Sequence, residues 1–348
     1  MVSIRLYADI QKEDDLLKKP IRILPIVLLC LLLTGCGTSE VTHPAGDYIL
    51  ELPYQSDFRI LQLSDIHLGN KDNRALQYDF LNLTIQDAEA DLIVLNGDLF
   101  TFADKSTARE LFAFIDSYGI PWTVTFGNHD EQCYFSIDWL TGYLNGFGSN
   151  CLFRDLQDDD VFGSCNFAIN LTQDGQVFEQ IILMDSNRYY CGDYWGYDYI
   201  KENQIGWYER IVTYTAEQNV GIAADSILFF HIPFPEFSDA WDAAQAGSPD
   251  AVWEYGEKNE EVCSPEYNSG LFDRILALDS TRAVLVAHDH VNDYRIRYRG
   301  VYLSYGVNST DRIYYQDGML GGQVLTIRTD HSLSFEPIFH TYSEVHDE

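Results

Sequence analysis

The sequence predicts a mixed α/β fold, and three observations support this prediction. Between residues 58 and 126, short apolar runs alternate with amphipathic stretches in the order strand, helix, strand, helix, strand. This order favours parallel strands that are joined by crossover helices. After residue 294 the apolar runs become short and alternating, as is typical of antiparallel strands. No internal repeat and no convincing linker follow residue 57, which indicates a single domain.

The predicted elements follow one another along the whole chain. The first strands are expected at residues 58–63, 91–95 and 122–126, with helices at about 74–90 and 107–118. Further strands are expected at 178–184, 226–230 and 283–286, with helices at 202–218 and 271–278. The antiparallel strands at the end of the chain are expected at 294–298, 301–305 and 323–327.

The charge of the chain restricts its partners. There are 22 Lys and Arg against 54 Asp and Glu, which gives a formal net charge of −32. Such an acidic chain repels nucleic acid and gains no electrostatic attraction to anionic lipid headgroups, so neither is an expected partner. Any phosphate chemistry would need bound cations, because the chain itself supplies few. The sequence gives no indication of an oligomeric state.

Residues 1–35 predict an export signal. Basic residues precede a short apolar run at 23–33, whereas a membrane-spanning helix needs roughly 20 apolar residues. The run ends in Leu33-Thr34-Gly35-Cys36, which resembles the lipobox of bacterial lipoproteins. That resemblance implies cleavage before Cys36, lipidation of its sulfur, and an exported protein held at the bacterial cell membrane by lipid alone. The alternatives are a plain signal peptide with an incidental cysteine and an uncleaved anchor. Residues 36–56 are expected to form a tether, with an early strand near 48–52.

The remaining cysteines do not indicate a metal or redox motif. Outside the cytoplasm, up to two disulfides are possible among them, with one thiol left over, and the spacing does not determine the pairing. The absence of a CxxC motif argues against a thiolate zinc site. The five residues are Cys133, Cys151, Cys165, Cys191 and Cys263.

Five histidines each follow a predicted strand within a few residues. They are His67, His129, His231, His288 and His290. The carboxyl ends of parallel strands are where open α/β sheets place their ligands. A single histidine in such a position is more often structural than functional, but that interpretation fails for all five together.

Acidic and amide side chains share these strand ends. In an extended chain, residues i and i+2 point the same way, so Asp65 and His67 can face one site, as can His288 and His290. Together with the remaining donors they form a set of seven oxygen and nitrogen ligands: Asp65, His67, Asp98, Asn128, His231, His288 and His290. Seven is too many for one tetrahedral zinc ion and suits two cations that share a bridging carboxylate.

The order of the motifs D-x-H, G-D, G-N-H-D, H and H-x-H resembles the calcineurin-like metallophosphoesterase superfamily over roughly residues 58–310. The segments 231–236 and 288–293 resemble the subgroup related to the purple acid phosphatases. For residues 57–348 the resemblance implies an αββα sandwich of two mixed sheets flanked by helices. It places the metal site at the carboxyl ends of the strands.

The resemblance also implies a role for each matched residue. One metal ion would be bound by Asp65, His67 and His290, the other by Asn128, His231 and His288, and Asp98 would bridge them. His129 would lie beside the substrate and stabilise charge or protonate the leaving oxygen, with Asp130 as its orienting partner. Asp289 and Asn292 would support the site.

Two positions depart from the family pattern. Ala287 stands where a glycine usually begins the last histidine motif. Thr101 stands where true purple acid phosphatases carry a tyrosine ligand, so the protein is not expected to be purple. Which metals bind stays open among Fe, Mn and Zn.

These residues predict hydrolysis of phosphate esters at the cell surface by a metal-bridging hydroxide, with a phosphorylated small molecule or lipid as substrate. A phosphomonoesterase is favoured. The alternatives are a phosphodiesterase acting on nucleotides, lipid headgroups or wall polymers, and a non-catalytic lipoprotein that binds phosphorylated ligands. Residues 237–268 are a candidate specificity segment because they lie between two ligand motifs. The aromatic stretch 191–199 is interpreted as a packed surface loop rather than a substrate-binding rim.

Overall fold

The computed structural model describes residues 43–69 and 74–346. The predicted export signal at 1–35 and the predicted lipidation site Cys36 lie outside the described residues. In the part of the chain that is described, no helix has the length and apolar character needed to cross a membrane.

The described residues form fifteen strands, seven α-helices and two short 3₁₀ helices, Ala45–Tyr48 and Asp130–Gln132. The strands are β1 (Ile49–Pro53), β2 (Phe58–Leu63), β3 (Leu92–Asn96), β4 (Trp122–Thr125), β5 (Phe167–Gln173), β6 (Gln176–Leu183), β7 (Tyr189–Cys191), β8 (Trp195–Tyr197), β9 (Asp225–Phe229), β10 (Ala251–Tyr255), β11 (Thr281–Val286), β12 (Arg295–Tyr298), β13 (Val301–Tyr305), β14 (Leu320–Ile327) and β15 (Leu333–His340). The helices are α1 (Arg74–Ala88), α2 (Lys105–Asp116), α3 (Ile137–Asn145), α4 (Glu202–Gln218), α5 (Glu236–Gln245), α6 (Leu271–Leu278) and α7 (Tyr342–His346).

Two large sheets organise the molecule. One has eight strands in the order β1-β5-β6-β9-β11-β13-β12-β10, and the other has five in the order β15-β14-β2-β3-β4. Both are mixed: β2, β3 and β4 pair in parallel while β14 is antiparallel to β2, and β9 and β11 pair in parallel while β12 is antiparallel to β13. The predicted α/β class with two mixed sheets is therefore confirmed.

The alternation of side chains along the strands separates two cores. In β9, Ile227 and Phe229 point into the core that both sheets share, whereas Leu228 points to a second core on the outer face. Successive strand residues face opposite sides, so a strand that is buried on both faces reads as a continuous apolar run. The second core is closed by Trp207 of α4 and Phe272 of α6. Helices thus cover the outer face of the eight-stranded sheet.

The domain begins earlier than the sequence indicated. Strand β1 pairs in parallel with β5, and the short 3₁₀ helix Ala45–Tyr48 places the Tyr48 ring in the second core. The predicted early strand near residues 48–52 is confirmed, but the boundary between tether and domain at residue 57 is wrong. A chain segment paired along its whole length with a sheet is part of the fold rather than a linker.

The five cysteines within the described ranges are all unpaired. Cys165 is fully buried and Cys191 is exposed. Neither of the two disulfides that the sequence allowed is present among them.

Candidate metal centre

Five strand ends from the two sheets meet at one place. Strands β2, β3 and β4 bring the loops that carry Asp65, Asp98 and Asn128, and β9 and β11 bring His231 and His288. Asn96, the last residue of β3, ties the sheets together here, because its Nδ2 donates to Phe230 O at 3.2 Å. The candidate ligands thus lie after the carboxyl ends of strands from both sheets.

Asp65, His67 and His290 form a first group of donors. Their ligand atoms all lie within 4.8 Å of one another. His67 Nε2 is 3.0 Å from His290 Nε2, and His290 Nε2 is 3.6 Å from Asp65 Oδ1. Two imidazole nitrogens and one carboxylate oxygen directed at a common point form a plausible cation site.

Asp98, His231 and His288 form a second group with the same spacing. Asp98 Oδ2 lies 3.2 Å from His231 Nε2 and also 3.7 Å from His67 Nε2 of the first group. One carboxylate therefore faces both groups, as a bridging ligand between two ions requires.

Asn128 completes the set of seven. Its Nδ2 donates to the Tyr189 hydroxyl at 2.9 Å, and its Oδ1 is buried without a protein partner. The amide oxygen is thus the atom that is free to act as a ligand.

Several buried polar atoms at this centre have no hydrogen-bond partner in the described protein. They are Asp65 Oδ1, Asn128 Oδ1 and both ring nitrogens of His288. Nearly all buried polar atoms in native proteins are hydrogen-bonded, so such a concentration at one place needs an explanation. Two metal ions bound by the two groups provide one, because oxygen and imidazole donors suit borderline divalent or trivalent cations.

The backbone is strained at four of the seven candidate ligands. Asp65, His67, Asp98 and His288 have φ values of 54°, 50°, 51° and 79°, in the left-handed region that non-glycine residues avoid. Such conformations cost roughly 1–3 kcal/mol each and concentrate at functional sites. By contrast, Ala287 does not have a positive φ, so alanine replaces the expected glycine without strain.

Two glycines permit the close approach of the loops. A Cβ on Gly127 would lie 2.2 Å from Asp98 Oδ1, and one on Gly97, which has a φ of 84°, would lie 2.4 Å from His231 Nδ1. No side chain fits at either position without moving a candidate ligand.

The histidine ligands are oriented by hydrogen bonds through their other ring nitrogen. His231 Nδ1 donates to Asn96 O at 2.9 Å, and His290 Nδ1 donates to Tyr314 O at 2.8 Å. Because a carbonyl only accepts, each contact leaves Nε2 available for a metal ion. His67 Nδ1 lies 2.8 Å from Thr101 Oγ1. The residue at the position of the missing tyrosine ligand thus supports a ligand instead of being one.

Burial and neighbouring charges determine the protonation of these side chains. Burial lowers the pKa of His67 and of His288 well below the usual value, which keeps these imidazoles neutral. Burial alone would raise the pKa of Asp98, but the neighbouring His231 holds it well below the usual range. Burial would lower the pKa of His231, but the Asp98 carboxylate raises it to about 10.

His129 has a different orienting partner from the one predicted. Its Nδ1 lies 2.9 Å from Gln132 Oε1. Asp130 is fully buried and turns away, because its carboxylate accepts hydrogen bonds from the backbone N–H groups of Phe100 at 3.0 Å and Gly127 at 2.8 Å. The prediction that Asp130 orients His129 is wrong. Asp130 instead fixes the two loops that present Asp98 and Asn128.

The predicted support residues connect the last ligand loop to the segment 237–268. Asp289 accepts a hydrogen bond from the Tyr305 hydroxyl at 2.5 Å and from Cys263 N at 3.2 Å. Asn292 Oδ1 accepts from the backbone N–H of Asn259 at 2.8 Å. Part of the candidate specificity segment is therefore held directly against the loop of His288 and His290.

The β7–β8 hairpin reaches the metal centre, which the sequence did not reveal. The Tyr197 ring meets the His288 ring edge-on, with centroids 4.5 Å apart, and the Tyr189 hydroxyl contacts Asn128. The stretch 191–199 is therefore not simply a packed surface loop. The many aromatic residues of this stretch are the only sequence feature that indicates a role at the site. The contacts of the hairpin with His288 and Asn128 become visible only in the fold.

Comparison with known proteins agrees with this site. Residues 58–292 match the family described as Calcineurin-like phosphoesterase. "Probable inactive purple acid phosphatase 29" of Arabidopsis thaliana is 30% identical over 315 residues, covering 80% of this chain and 77% of that protein. "Probable inactive purple acid phosphatase 14" of the same plant is 27% identical over 320 residues, covering 81% and 77%. "Phosphatase DCR2" of Saccharomyces cerevisiae is 27% identical over 290 residues, covering 75% of this chain and 48% of that protein.

A solved structure shares the fold at low sequence identity. The dimetal phosphatase from Danio rerio superposes with a TM-score of 0.50 at 12% identity, covering 81% of this chain and 99% of that one. With the sequence match spanning every candidate ligand from Asp65 to His290, the chain belongs to the calcineurin-like phosphoesterase family and is a metal-dependent phosphoesterase.

Proposed function

We propose that this protein hydrolyses phosphate monoesters with two metal ions bound by Asp65, His67, Asp98, Asn128, His231, His288 and His290. The observation that carries the proposal is the position of Asp98, whose carboxylate faces His231 of one donor group and His67 of the other. Two bound metal ions would supply Lewis-acid activation of the phosphate ester and of water. Fe, Mn and Zn all suit the nitrogen and oxygen donors.

The protein side chains contribute proton handling and orientation. Gln132 Oε1 can only accept, so His129 carries its proton on Nδ1 and presents Nε2 to the site. His129 also packs edge-on against His67, with ring centroids 5.0 Å apart. With a second proton on Nε2, the ring in this position would donate a hydrogen bond to the phosphoryl group or protonate the leaving oxygen.

The natural substrate is proposed to be a small or weakly charged phosphorylated molecule, or a phosphorylated lipid, rather than nucleic acid. The net charge of −32 disfavours a polyanion. Among the described residues, the ion pairs of the candidate ligands Asp65 and Asp98 are with histidines and not with lysine or arginine.

Paired assays test the choice between monoester and diester. We expect the metal-loaded protein to hydrolyse p-nitrophenyl phosphate faster than its bis ester, with manganese added to both. The opposite preference would assign the protein as a phosphodiesterase. No turnover of either substrate by protein that holds two metal ions would contradict hydrolysis itself.

A non-catalytic role is the second candidate, because the two plant relatives are named as probable inactive purple acid phosphatases. In that case the protein would bind phosphorylated ligands without hydrolysing them, and His129→Ala and Asp98→Asn would leave its function intact. We expect His129→Ala to retain two metal ions and to lose turnover by about 10²- to 10⁴-fold, the usual contribution of general acid–base catalysis.

We also propose that the protein is exported and held at the bacterial membrane by a lipid on Cys36. The support is the lipobox-like segment that follows a short apolar run. Cell fractionation tests this proposal, because Cys36→Ala should move the protein out of the membrane fraction. Retention of the variant in that fraction would contradict it.

A further inference from the structure

The side chain of Tyr189 lies in a hydrogen-bond network with two amide groups at the metal centre. Its hydroxyl oxygen is 2.9 Å from Asn128 Nδ2 and 3.3 Å from Gln132 Nε2. Both amides are donors toward the phenol. The network connects Tyr189 on one side to a candidate metal ligand and on the other side to the partner of His129.

The direction of these hydrogen bonds is fixed independently at each amide. The Gln132 Oε1 atom is occupied by His129 Nδ1, so its nitrogen faces Tyr189. The Asn128 Oδ1 atom is buried without a protein partner and faces the metal centre, so its nitrogen also faces Tyr189. A phenol oxygen accepts two hydrogen bonds and donates one. Since both acceptor positions are used, the hydroxyl hydrogen has no partner in the network.

The position of Tyr189 is secured by the hairpin. Its ring stacks between Trp195 and Tyr197, each with ring centroids 5.8 Å from its own, at interplanar angles of 10° and 25°. Tyr197 in turn contacts His288. The hairpin is therefore anchored at two candidate ligands of the second metal ion, and the phenol is held in place before any substrate binds.

We propose that Tyr189 is a substrate-contacting residue whose hydroxyl donates a hydrogen bond to a non-bridging oxygen of the bound phosphoryl group. The inference rests on the proposed function. Negative charge grows on these oxygens as the ester is cleaved, and a donor fixed in advance stabilises that charge. The Tyr189 hydroxyl would supply such a neutral donor beside the His129 ring.

The test compares Tyr189→Phe with a matched control in the same hairpin. Phenylalanine removes only the hydroxyl and keeps the ring between Trp195 and Tyr197. The control is Tyr190→Phe, because the Tyr190 hydroxyl bonds to Asp193 rather than to the metal centre. Metal content, the dissociation constant for inorganic phosphate and kcat/KM for p-nitrophenyl phosphate are measured for all three proteins after loading with manganese.

We expect Tyr189→Phe to keep two metal ions and to lose about 10- to 100-fold in both phosphate affinity and kcat/KM, the usual effect of deleting a hydrogen bond to a charged group. Tyr190→Phe should match the wild type. Unchanged phosphate affinity and kcat/KM in Tyr189→Phe would overturn the inference. Loss of one metal ion would also overturn it, since Tyr189 would then only position Asn128.

Failure of the proposed function gives a different result. Wild-type protein that binds metal and phosphate without turnover would overturn hydrolysis, while the effect of Tyr189→Phe would still be measured through phosphate affinity. Wild-type protein that binds metal but no phosphate would overturn both proposals.

Discussion

At the scale of single residues, the candidate site contains two kinds of side chain. The candidate ligands were predicted from the sequence, whereas the residues that hydrogen-bond to them were not. The seven candidate ligands follow strands in a recognisable order, so the sequence was sufficient to name them. Their partners Thr101, Gln132 and Tyr314 follow no pattern, because a second layer of hydrogen bonds is defined by distance in space rather than by spacing along the chain. Asp130 shows the same limit, since its sequence neighbour His129 is not its hydrogen-bond partner.

Asp130 and Gln132 should give different phenotypes. Gln132→Ala removes the acceptor that orients His129, so turnover should fall about tenfold or more while the melting temperature stays near that of the wild type. Asp130→Asn leaves one backbone N–H of the two loops unsatisfied, which should lower the free energy of unfolding by about 1–3 kcal/mol. Kinetics and thermal unfolding of both variants test this. If Asp130→Asn lost more turnover for a given loss of stability than Gln132→Ala did, the prediction that Asp130 orients His129 would be restored.

Thr101 is expected to tune metal affinity through His67. Thr101→Val keeps the branched shape but removes the hydroxyl 2.8 Å from His67 Nδ1, so the affinity for the first metal ion should fall about 10- to 100-fold. Thr123→Val is the matched control, because the buried Thr123 hydroxyl has no hydrogen-bond partner. Equal metal affinities for the two variants in a competition titration would contradict this role.

The raised pKa of His231 predicts that metal binding releases a proton. In the metal-free protein the Asp98 carboxylate raises that pKa to about 10, so the pair stabilises the fold fully below pH 6.5 and loses this contribution as the pH rises through 10. A metal ion must displace this proton, so affinity should weaken as the pH falls below 10. Calorimetry at pH 7 in two buffers with different ionisation enthalpies should show release of about one proton. Metal binding without proton release would contradict the assignment of His231.

At the scale of elements, strands buried on both faces were the easiest to predict. Strand β2 and helices α4 and α6 have the predicted bounds, and β3, β4, β9 and β11 differ from the prediction by two residues or fewer at either end. Strands β7, β8, β10 and β15 were missed, and each has side chains that are largely exposed or half-buried. Partial burial removes the hydrophobic pattern from which a strand is recognised. Strand β5 was missed as well, although most of its side chains are buried. The second sheet could not be derived from the strand order alone, and its prediction came from the family resemblance.

The loop after β4 requires glycine at position 127. In Gly127→Ala the new Cβ would lie 2.2 Å from Asp98 Oδ1, so the bridging carboxylate must shift and the protein should lose metal and activity. Gly206→Ala is the control, because Gly206 is exposed in the middle of α4 with no atom within 4 Å of the new Cβ. That change should raise the free energy of unfolding by about 0.5–1 kcal/mol. If Gly127→Ala kept its full metal content, the close approach of position 127 to the Asp98 carboxylate would be contradicted.

At the scale of the whole molecule, the acidity and the phosphate chemistry are compatible. Of the 54 Asp and Glu residues, Asp65 and Asp98 are the two that are candidate ligands at the metal centre described above. The metal ions therefore supply the positive field that a chain with a net charge of −32 does not provide near its candidate ligands. The rest of the acidity is compatible with small phosphate esters and disfavours polyanions.

The metal ions should also stabilise the fold. The centre joins loops from both sheets, and several of its buried donor atoms have no hydrogen-bond partner in the described part of the chain. Free metal at a thousandfold excess over its dissociation constant would add about 4 kcal/mol per site to the free energy of unfolding. Chelation should therefore lower the melting temperature, and adding manganese back should restore it. A melting temperature that is insensitive to chelator would contradict a metal centre that joins the two sheets.

We propose above all that the protein hydrolyses phosphate esters with two metal ions, for which Asp98 would be a shared ligand. The most direct measurement is metal content per chain together with turnover of p-nitrophenyl phosphate, for wild type and Asp98→Asn. We expect two metal ions and turnover in the wild type, and in Asp98→Asn fewer than two metal ions and turnover reduced by on the order of 10³-fold or more. Wild-type activity in Asp98→Asn, or a wild-type protein that binds no metal and hydrolyses no phosphate ester, would contradict the claim.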